Sequence, residues 1–264
     1  MADNSNTDQL RLRVFAGPNG SGKSTIIESV KNTIVNGRKI DLGIYINADD
    51  IATLLINNKF SFAPYQVSAT KKQFIAFAEA SGLLTPQFNK AALQKVFKLQ
   101  GKTIILFSAK RYEQIAQLLA RFLRECMFKE KKRFSFETVF SHSSNLDIMQ
   151  RAANAGYKVY LYFVSTESPE INKYRVKLRV TQRGHNVPED KIESRYYRSL
   201  ELLYEAAEIT YQAFFFDNSS HDQPFKLVNH FKKYENKKSW DITNSKTFPA
   251  WFKNYYWKKN QSNI

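Results

Sequence analysis

Gly17-Pro18-Asn19-Gly20-Ser21-Gly22-Lys23-Ser24 is the stretch that decides the fold of this 264-residue chain. It satisfies the pattern G-x-x-x-x-G-K-[ST], between an alternating, strand-like run (residues 10–16) and a run with helical spacing (residues 23–35). Glycines at these positions let main-chain N–H groups curl around a polyphosphate, and the following helix adds its N-terminal donors. The pattern therefore predicts a phosphate-binding loop.

This loop carries a defined set of expected contacts. Lys23 would place a point charge at the β- and γ-phosphates of ATP or GTP, and the Ser24 hydroxyl would ligate Mg²⁺. The nucleotide-binding residues expected from the pattern are Gly17, Asn19, Gly20, Ser21, Gly22, Lys23, Ser24 and Thr25. The same wording is common in ABC transporter ATPases, but the sequence lacks their LSGGQ-like signature and their apolar strand ending in Asp-Glu.

The rest of the chain continues an alternation of strands and helices. Strand-like runs occupy residues 43–47, 134–136, 158–164 and 213–216, and helical runs follow at 146–155, 169–182 and 188–209. This alternation predicts an α/β fold, a P-loop NTPase- or kinase-like parallel sheet flanked by helices.

Three segments depart from that alternation. Residues 1–9 are a polar tail, and residues 60–107 are expected to form a helical subdomain inserted into the P-loop domain of residues 10–218. Two amphipathic stretches near 68–80 and 88–98 predict its helices, with a strand at 103–107. Residues 219–264 are a basic, aromatic-rich C-terminal extension with weak periodicity.

The net charge of +16 leaves the type of partner open. Nucleic acid, anionic lipid and phosphorylated small molecules all favour a basic surface, and a solvated lysine-rich surface is the commoner outcome. In the tail, nine lysines from position 226 onward face only Glu235 and Asp241. Interleaved aromatic residues could stack on single-stranded nucleic acid: Trp251, Phe252, Tyr255, Tyr256 and Trp257.

Other features favour a cytoplasmic protein that does not enter a membrane. The N-terminus lacks the apolar stretch of a signal peptide, and no apolar run approaches the roughly 18 residues of a membrane span. The single cysteine, Cys126, fits a reducing compartment, and its apolar neighbours predict a buried helical thiol.

The order of motifs along the chain resembles the zeta toxin family of P-loop kinases, and within it the stand-alone bacterial subgroup often called predicted ABC-type ATPases. The motifs are residues 17–25, Ile46-Asn47-Ala48-Asp49, Phe134-Ser135-Phe136-Glu137-Thr138, Arg175 with Arg179, Gly184-His185-Asn186-Val187-Pro188, and Arg195-Tyr196. The resemblance covers residues 10–60 and 108–218. It implies transfer of a γ-phosphoryl group to UDP-N-acetylglucosamine or a related nucleotide, and it leaves room for a neutralising antitoxin protein as a partner.

The resemblance also implies roles for single residues. Asp49 matches the carboxylate that activates the acceptor hydroxyl, as phosphoryl transfer requires. The alternative for Asp49 is to cap the helix that follows, a role that Asp50 could also fill. Glu137 and Thr138 match the acceptor-binding pair, with a helix cap or the outer shell of Mg²⁺ as the alternative.

A set of arginines is the last part of the expected site. Arg175, Arg179 and Arg183 are spaced to share one helix face, and Arg195 lies beyond the turn at residues 184–188. Arg175, Arg179 and Arg195 match family arginines that contact the nucleotide phosphates, with an ordinary basic helix as the alternative. His185 is expected to be a turn residue first and a ligand second. Where the family more often has Gly-Gly-His, Arg183 replaces the first glycine.

Three functions remain open from the sequence. The leading one is a small-molecule kinase. The second is a polynucleotide 5′-hydroxyl kinase or another nucleic-acid-acting P-loop ATPase, favoured by the basic tail. The third, a non-catalytic nucleotide-binding module, is disfavoured because a pure binder has no use for a proton acceptor such as Asp49.

Overall fold

The computed structural model describes residues 9–182, 186–220, 225–235, 237–242 and 245–262. The chain forms two compact units, one of Met1–Gly43 with Glu137–Ile264 and the other of Ile44–Phe136. The proposed insertion at residues 60–107 falls within the second unit. The predictions for Arg183, Gly184 and His185 lie outside the described residues.

The first half of the chain contains β1 (Arg11–Ala16), α1 (Lys23–Asn32), β2 (Ile34–Val35), β3 (Arg38–Lys39), β4 (Ile44–Ile46), α2 (Ala48–Ile56), α3 (Lys71–Ala80), α4 (Lys90–Val96), β5 (Phe97–Gln100), β6 (Thr103–Leu106) and α5 (Tyr112–Lys129). The second half contains β7 (Phe134–Thr138), α6 (Ser144–Asn154), β8 (Lys158–Ser165), α7 (Pro169–Thr181), α8 (Glu189–Glu201), α9 (Leu203–Ile209), β9 (Gln212–Asp217), β10 (Lys226–Tyr234), β11 (Lys237–Trp240), α10 (Ala250–Phe252), a π-helical turn (Lys253–Trp257) and α11 (Lys258–Ser262). Seven strands form the main, mostly parallel sheet in the order β11-β10-β9-β8-β1-β7-β4. The α/β fold expected from the sequence is confirmed.

Three parallel strands of the first unit bring their carboxyl ends to one edge. β1 pairs with β8 and β8 with β9, both parallel, so Ala16, Ser165 and Asp217 end neighbouring strands. Open parallel sheets bind ligands at such an edge. The loop after β1 is the predicted phosphate loop, which places it beside the ends of β8 and β9.

The tail beyond β9 continues the sheet. β10 pairs antiparallel with β9, and β11 pairs antiparallel with β10. The interpretation of residues 213–216 as the last strand is therefore wrong. The sequence pattern did not predict β10 and β11, because polar residues outnumber apolar ones in them and the alternation that marks a half-buried strand is weak.

The helix after the phosphate loop is shorter than expected. α1 ends at Asn32, and Ile34–Val35 pairs with Arg38–Lys39 in a hairpin. Asn36 and Gly37 have φ angles of 51° and 75°, the sign that a two-residue type I′ turn requires. The prediction of helix through residue 35 is wrong because Asn36-Gly37 closes a hairpin rather than stopping a helix.

The second unit joins a parallel strand pair to helices and a hairpin. β4 pairs with β7 over Phe134, Ser135 and Phe136, and β5 pairs antiparallel with β6. Helices α3 and α4 and strand β6 lie where the sequence predicts them, but residues 97–98 belong to a strand and not to a helix. Within the parts of the chain that the structure describes, no helix is both long and apolar enough to cross a membrane.

Candidate nucleotide-binding site

The loop between β1 and α1 has a steric need for its glycines. Gly17 and Gly22 have φ angles of 146° and 95°, which disfavour residues with side chains. A Cβ atom on Gly17 would lie 2.1 Å from the carbonyl oxygen of Val164, and one on Gly22 would lie 2.1 Å from Nδ2 of Asn218. The glycines therefore let β8 and the loop after β9 press against the phosphate loop.

Lys23 is folded back onto this loop. Its side chain is 8% exposed, and Nζ donates hydrogen bonds to the carbonyl oxygens of Gly17 and Pro18, both at 3.0 Å. Nζ also lies 3.8 Å from Oε1 of Glu137, whose side chain is 14% exposed. A nearly buried ammonium group is thus held between main-chain carbonyls and a carboxylate, where an anionic ligand could compete for it.

Glu137 and Thr138 end β7, as the sequence predicts. The Thr138 hydroxyl accepts a hydrogen bond from the N–H of Phe140 at 3.1 Å, so it stabilises its own loop. Phe140 is fully buried with a φ of 60°, a rare conformation for a bulky residue. Such backbone strain is found at functional sites, where the surroundings hold it in place.

The arginines differ in what they contact. Arg195 Nη1 donates to Oδ1 of Asn19 in the phosphate loop at 3.4 Å. Arg175 instead donates to main-chain carbonyls, from Nη1 to Asn218 at 2.6 Å and from Nη2 to Ser220 at 3.0 Å. Burial lowers the pKa of Arg175, and Asp217 partly offsets this. Arg179 lies exposed near the end of α7.

Two asparagines that sequence reasoning gave no role also contact the phosphate loop. Asn218 Nδ2 donates to the carbonyl oxygen of Ser21 at 2.8 Å. Asn172 is fully buried, and its main-chain carbonyl oxygen lies 2.7 Å from the position that a Cβ atom on Gly20 would occupy. Among the described residues its Nδ2 has no hydrogen-bond partner. Asn172 lies one helical turn before Arg175, and Asn218 directly follows a strand of the parallel edge, but neither position by itself distinguishes a site residue from a structural one.

Asp49 lies in the second unit, at the second residue of α2. Oδ1 of Asn47 accepts the N–H of Asp49 at 2.9 Å, so Asn47 caps this helix and neither aspartate does. The Asp49 side chain is exposed. Burial raises the pKa of the adjacent Asp50, and the negative charge of Asp49 raises it further.

Ser24 is the second residue of α1, and its side chain is exposed. Mg²⁺ prefers oxygen ligands and takes few from protein when phosphates supply the others, so a single exposed hydroxyl next to Lys23 fits this ion. Among the described residues, no group of three or more His, Cys, Asp or Glu side chains could hold a metal ion.

Four of the five tail aromatic residues that could stack on nucleic acid are packed inside the first unit. Trp251, Phe252, Tyr256 and Trp257 are between 0% and 8% exposed. Rings this buried cannot stack on nucleotide bases, so of the proposed set only the partly exposed Tyr255 is left for that role.

Comparisons with known proteins match parts of this chain. Residues 107–218 match the model of the family described as Zeta toxin. A protein of Haemophilus influenzae (strain Rd), described as uncharacterized, is 34% identical over 68 residues, which are 26% of this chain and 49% of that protein. The chain thus spans about half the length of this curated relative.

Solved structures show the same fold. The AvrRxo1-ORF1:AvrRxo1-ORF2 complex with sulphate ions has a TM-score of 0.54 at 14% identity, covering 92% of this chain and 65% of that one. The native complex has a TM-score of 0.50 at 15% identity, with the same coverage. At such identities the likeness establishes a shared fold.

The sheet order, the glycine-rich loop and the buried lysine define a P-loop NTPase- or kinase-like α/β fold. Within that fold, residues 107–218 are similar to the family described as Zeta toxin.

Proposed function

We propose that this chain is a kinase that transfers the γ-phosphoryl group of ATP or GTP, with Mg²⁺, to a hydroxyl of a small acceptor. The observation that carries the proposal is the environment of Lys23. Its ammonium group is nearly buried at the glycine-rich loop, 3.8 Å from the Glu137 carboxylate. A lysine in that position acts as a point charge on the β- and γ-phosphates.

In this proposal the phosphate loop supplies binding and orientation. Main-chain N–H groups of residues 17–24 would surround the polyphosphate, and Ser24 would hold Mg²⁺ with Glu137 nearby. The ion would neutralise charge that develops on the transferring group. Glu137 and Thr138 would also contact the acceptor, as the family resemblance implies.

Asp49 is the proposed proton acceptor for the attacking hydroxyl. Its support is the capping by Asn47, which leaves the Asp49 carboxylate without the structural role that was its main alternative. An exposed carboxylate can accept a proton and orient a nucleophile.

Arg195 and Arg179 are the proposed stabilisers of charge on the phosphoryl oxygens. Arg195 is supported by its contact with Asn19, which lies in the phosphate loop itself. The family resemblance also assigns Arg175 to the phosphates, but its two terminal nitrogens donate to main-chain carbonyls.

The acceptor we propose is UDP-N-acetylglucosamine or a related nucleotide, and the proposed partner is an antitoxin protein. Both rest on the family described as Zeta toxin. The partner is further supported by the structure of AvrRxo1-ORF1, a complex with a second chain, AvrRxo1-ORF2. A cytoplasmic location also stays a prediction.

A labelling experiment tests the proposal. The purified chain is incubated with γ-labelled ATP or GTP, Mg²⁺ and single acceptors from a panel of UDP-sugars, NAD and a 5′-hydroxyl oligonucleotide. We expect label on a nucleotide-sugar, loss of that label in Lys23→Met, and no change in the control Lys90→Met, whose lysine is half exposed in an ion pair with Glu79. Label on the oligonucleotide alone would replace the proposed acceptor. The proposed kinase activity would be rejected if the wild type transferred no label and Lys23→Met still bound the nucleotide.

A further inference from the structure

The loop after β9, residues 217–220, holds the phosphate loop through one side chain. Nδ2 of Asn218 donates to the carbonyl oxygen of Ser21 at 2.8 Å, and its main-chain N–H donates to the carbonyl of Ser165 at 2.9 Å. The same amide group packs against Gly22, where any Cβ would collide with it. The main chain of Asn218 is therefore hydrogen-bonded to the end of β8, and its side chain contacts the Ser21–Gly22 peptide.

Arg175, on α7, donates hydrogen bonds to the loop after β9. Its two terminal nitrogens donate to the carbonyl oxygens of Asn218 and Ser220, at 2.6 Å and 3.0 Å. A planar guanidinium group can hold two acceptors in a fixed geometry, which an ammonium group cannot do. This contact orients the main chain on both sides of Ser219.

A third set of contacts ties the loop to the C-terminal helices. Asp217 Oδ1 accepts hydrogen bonds from Trp251 Nε1 and from the Ser219 hydroxyl, both at 2.8 Å. The Ser219 hydroxyl in turn accepts the N–H of Glu167 at 2.8 Å. The loop is thus anchored on three sides, and the Asn218 amide is the group it directs at the phosphate loop.

We propose that Asn218 is a positioning residue of the nucleotide site, and that Arg175 acts through Asn218 rather than on the phosphates. The ligand is the polyphosphate tail of a nucleoside triphosphate, so this inference rests on the proposed nucleotide binding. The Asn218 amide holds the Ser21–Gly22 peptide in the conformation that wraps the phosphates. Arg175 holds Asn218 in place.

The first test measures binding of a fluorescent ATP analogue with Mg²⁺. Loss of one such hydrogen bond corresponds to a dissociation constant about tenfold higher, which we expect for Asn218→Ala and for the isosteric Asn218→Asp. Arg175→Lys should weaken binding less than Asn218→Ala. In the double variant the dissociation constant should rise by less than the product of the two single increases, because both residues act on one peptide. Asn57→Ala is the matched control, since Nδ2 of Asn57 also donates to a main-chain carbonyl at 2.8 Å, in the second unit.

The second test needs no nucleotide. Amide hydrogen exchange at residues 21–23 of the ligand-free protein should be about tenfold faster in both Asn218 variants and unchanged in Asn57→Ala, at equal thermal unfolding midpoints. Unchanged exchange together with unchanged ATP affinity would overturn the assignment of Asn218. Independent, multiplying effects of Asn218→Ala and Arg175→Lys would overturn the role given to Arg175. A wild-type protein that fails to bind ATP would reject the proposed function alone, and exchange would still decide the positioning role.

Discussion

Replacement of Glu137 by glutamine should strengthen the binding of metal-free ATP. The carboxylate lies 3.8 Å from the Lys23 ammonium group, and both side chains are largely shielded from water, with 14% and 8% exposed. At that distance the attraction is about 4 kcal/mol for an effective dielectric constant near 20. A triphosphate must share the ammonium group with Glu137, so part of this attraction opposes binding.

The expected gain follows from that competition. Lys23 keeps its hydrogen bonds to Gly17 and Pro18 when Glu137 becomes glutamine, so the ammonium group stays in the loop. If a quarter to a half of the attraction is lost on binding, Glu137→Gln gains about 1–2 kcal/mol, or roughly 5- to 30-fold in affinity. Phosphoryl transfer should fall in the same variant, because the proposal gives this carboxylate to the metal and the acceptor.

Titration with a fluorescent ATP analogue in EDTA measures the effect, and the same titration with Mg²⁺ should show a smaller gain. Glu79→Gln is the control, because Glu79 pairs with Lys90 at 2.8 Å but both side chains are about half exposed. Equal or weaker binding of metal-free ATP by a folded Glu137→Gln protein would refute the idea that Glu137 competes for Lys23.

Three further perturbations test other parts of the structure. Asp49→Asn should keep ATP binding and lower acceptor labelling by about 10²–10⁴-fold, while Asp241→Asn should leave labelling unchanged; full activity of Asp49→Asn would remove its catalytic role. Gly17→Ala would place a Cβ 2.1 Å from a main-chain oxygen, so it should lower the free energy of unfolding in urea by at least about 3 kcal/mol. The control Gly82→Ala has a φ of 67° but open space around it, so it should lower that free energy by about 1 kcal/mol. Burial raises the pKa of Cys126 to about 11, so its alkylation by iodoacetamide at pH 8 should be about a hundredfold slower than in the unfolded chain. The free energy of unfolding should fall as the pH rises from about 9 towards 11, because the folded state disfavours the thiolate.

The parts of the fold that could be predicted depend on short-range signals. The phosphate loop is specified by glycines whose φ angles and close contacts exclude other residues, and β8 by an apolar run in its own sequence. The hairpin at Asn36-Gly37 shows the limit of such signals. The dipeptide marks a chain reversal in either case, and only pairing of the flanking residues distinguishes a hairpin from a helix end.

The parts that could not be predicted depend on distant residues. Asn218 contacts Ser21 across 197 positions, and Arg195 contacts Asn19 across 176. No local pattern announces such a pair, because an asparagine after a strand is also an ordinary turn residue. The sequence can rank charged residues by their chemistry, but it cannot show that Arg175 donates to the main chain.

The basic tail shows why charge and aromatic content are weak guides to a partner. The ring centroids of Phe231, Trp240 and Tyr256 lie within 6.4 Å of that of Phe215 or of one another, so these three residues of the tail complete the core beside β9. Removal of the chain after residue 220 would expose the fully buried Phe215 and take away the Trp251 donor from Asp217. Since Asp217 directly precedes Asn218, that truncation would disturb the phosphate loop as well as any surface that the lysines form. A loss of nucleic-acid binding in the truncated protein therefore could not be assigned to the lysines, and single substitutions of exposed lysines such as Lys226 and Lys237 separate charge from core packing.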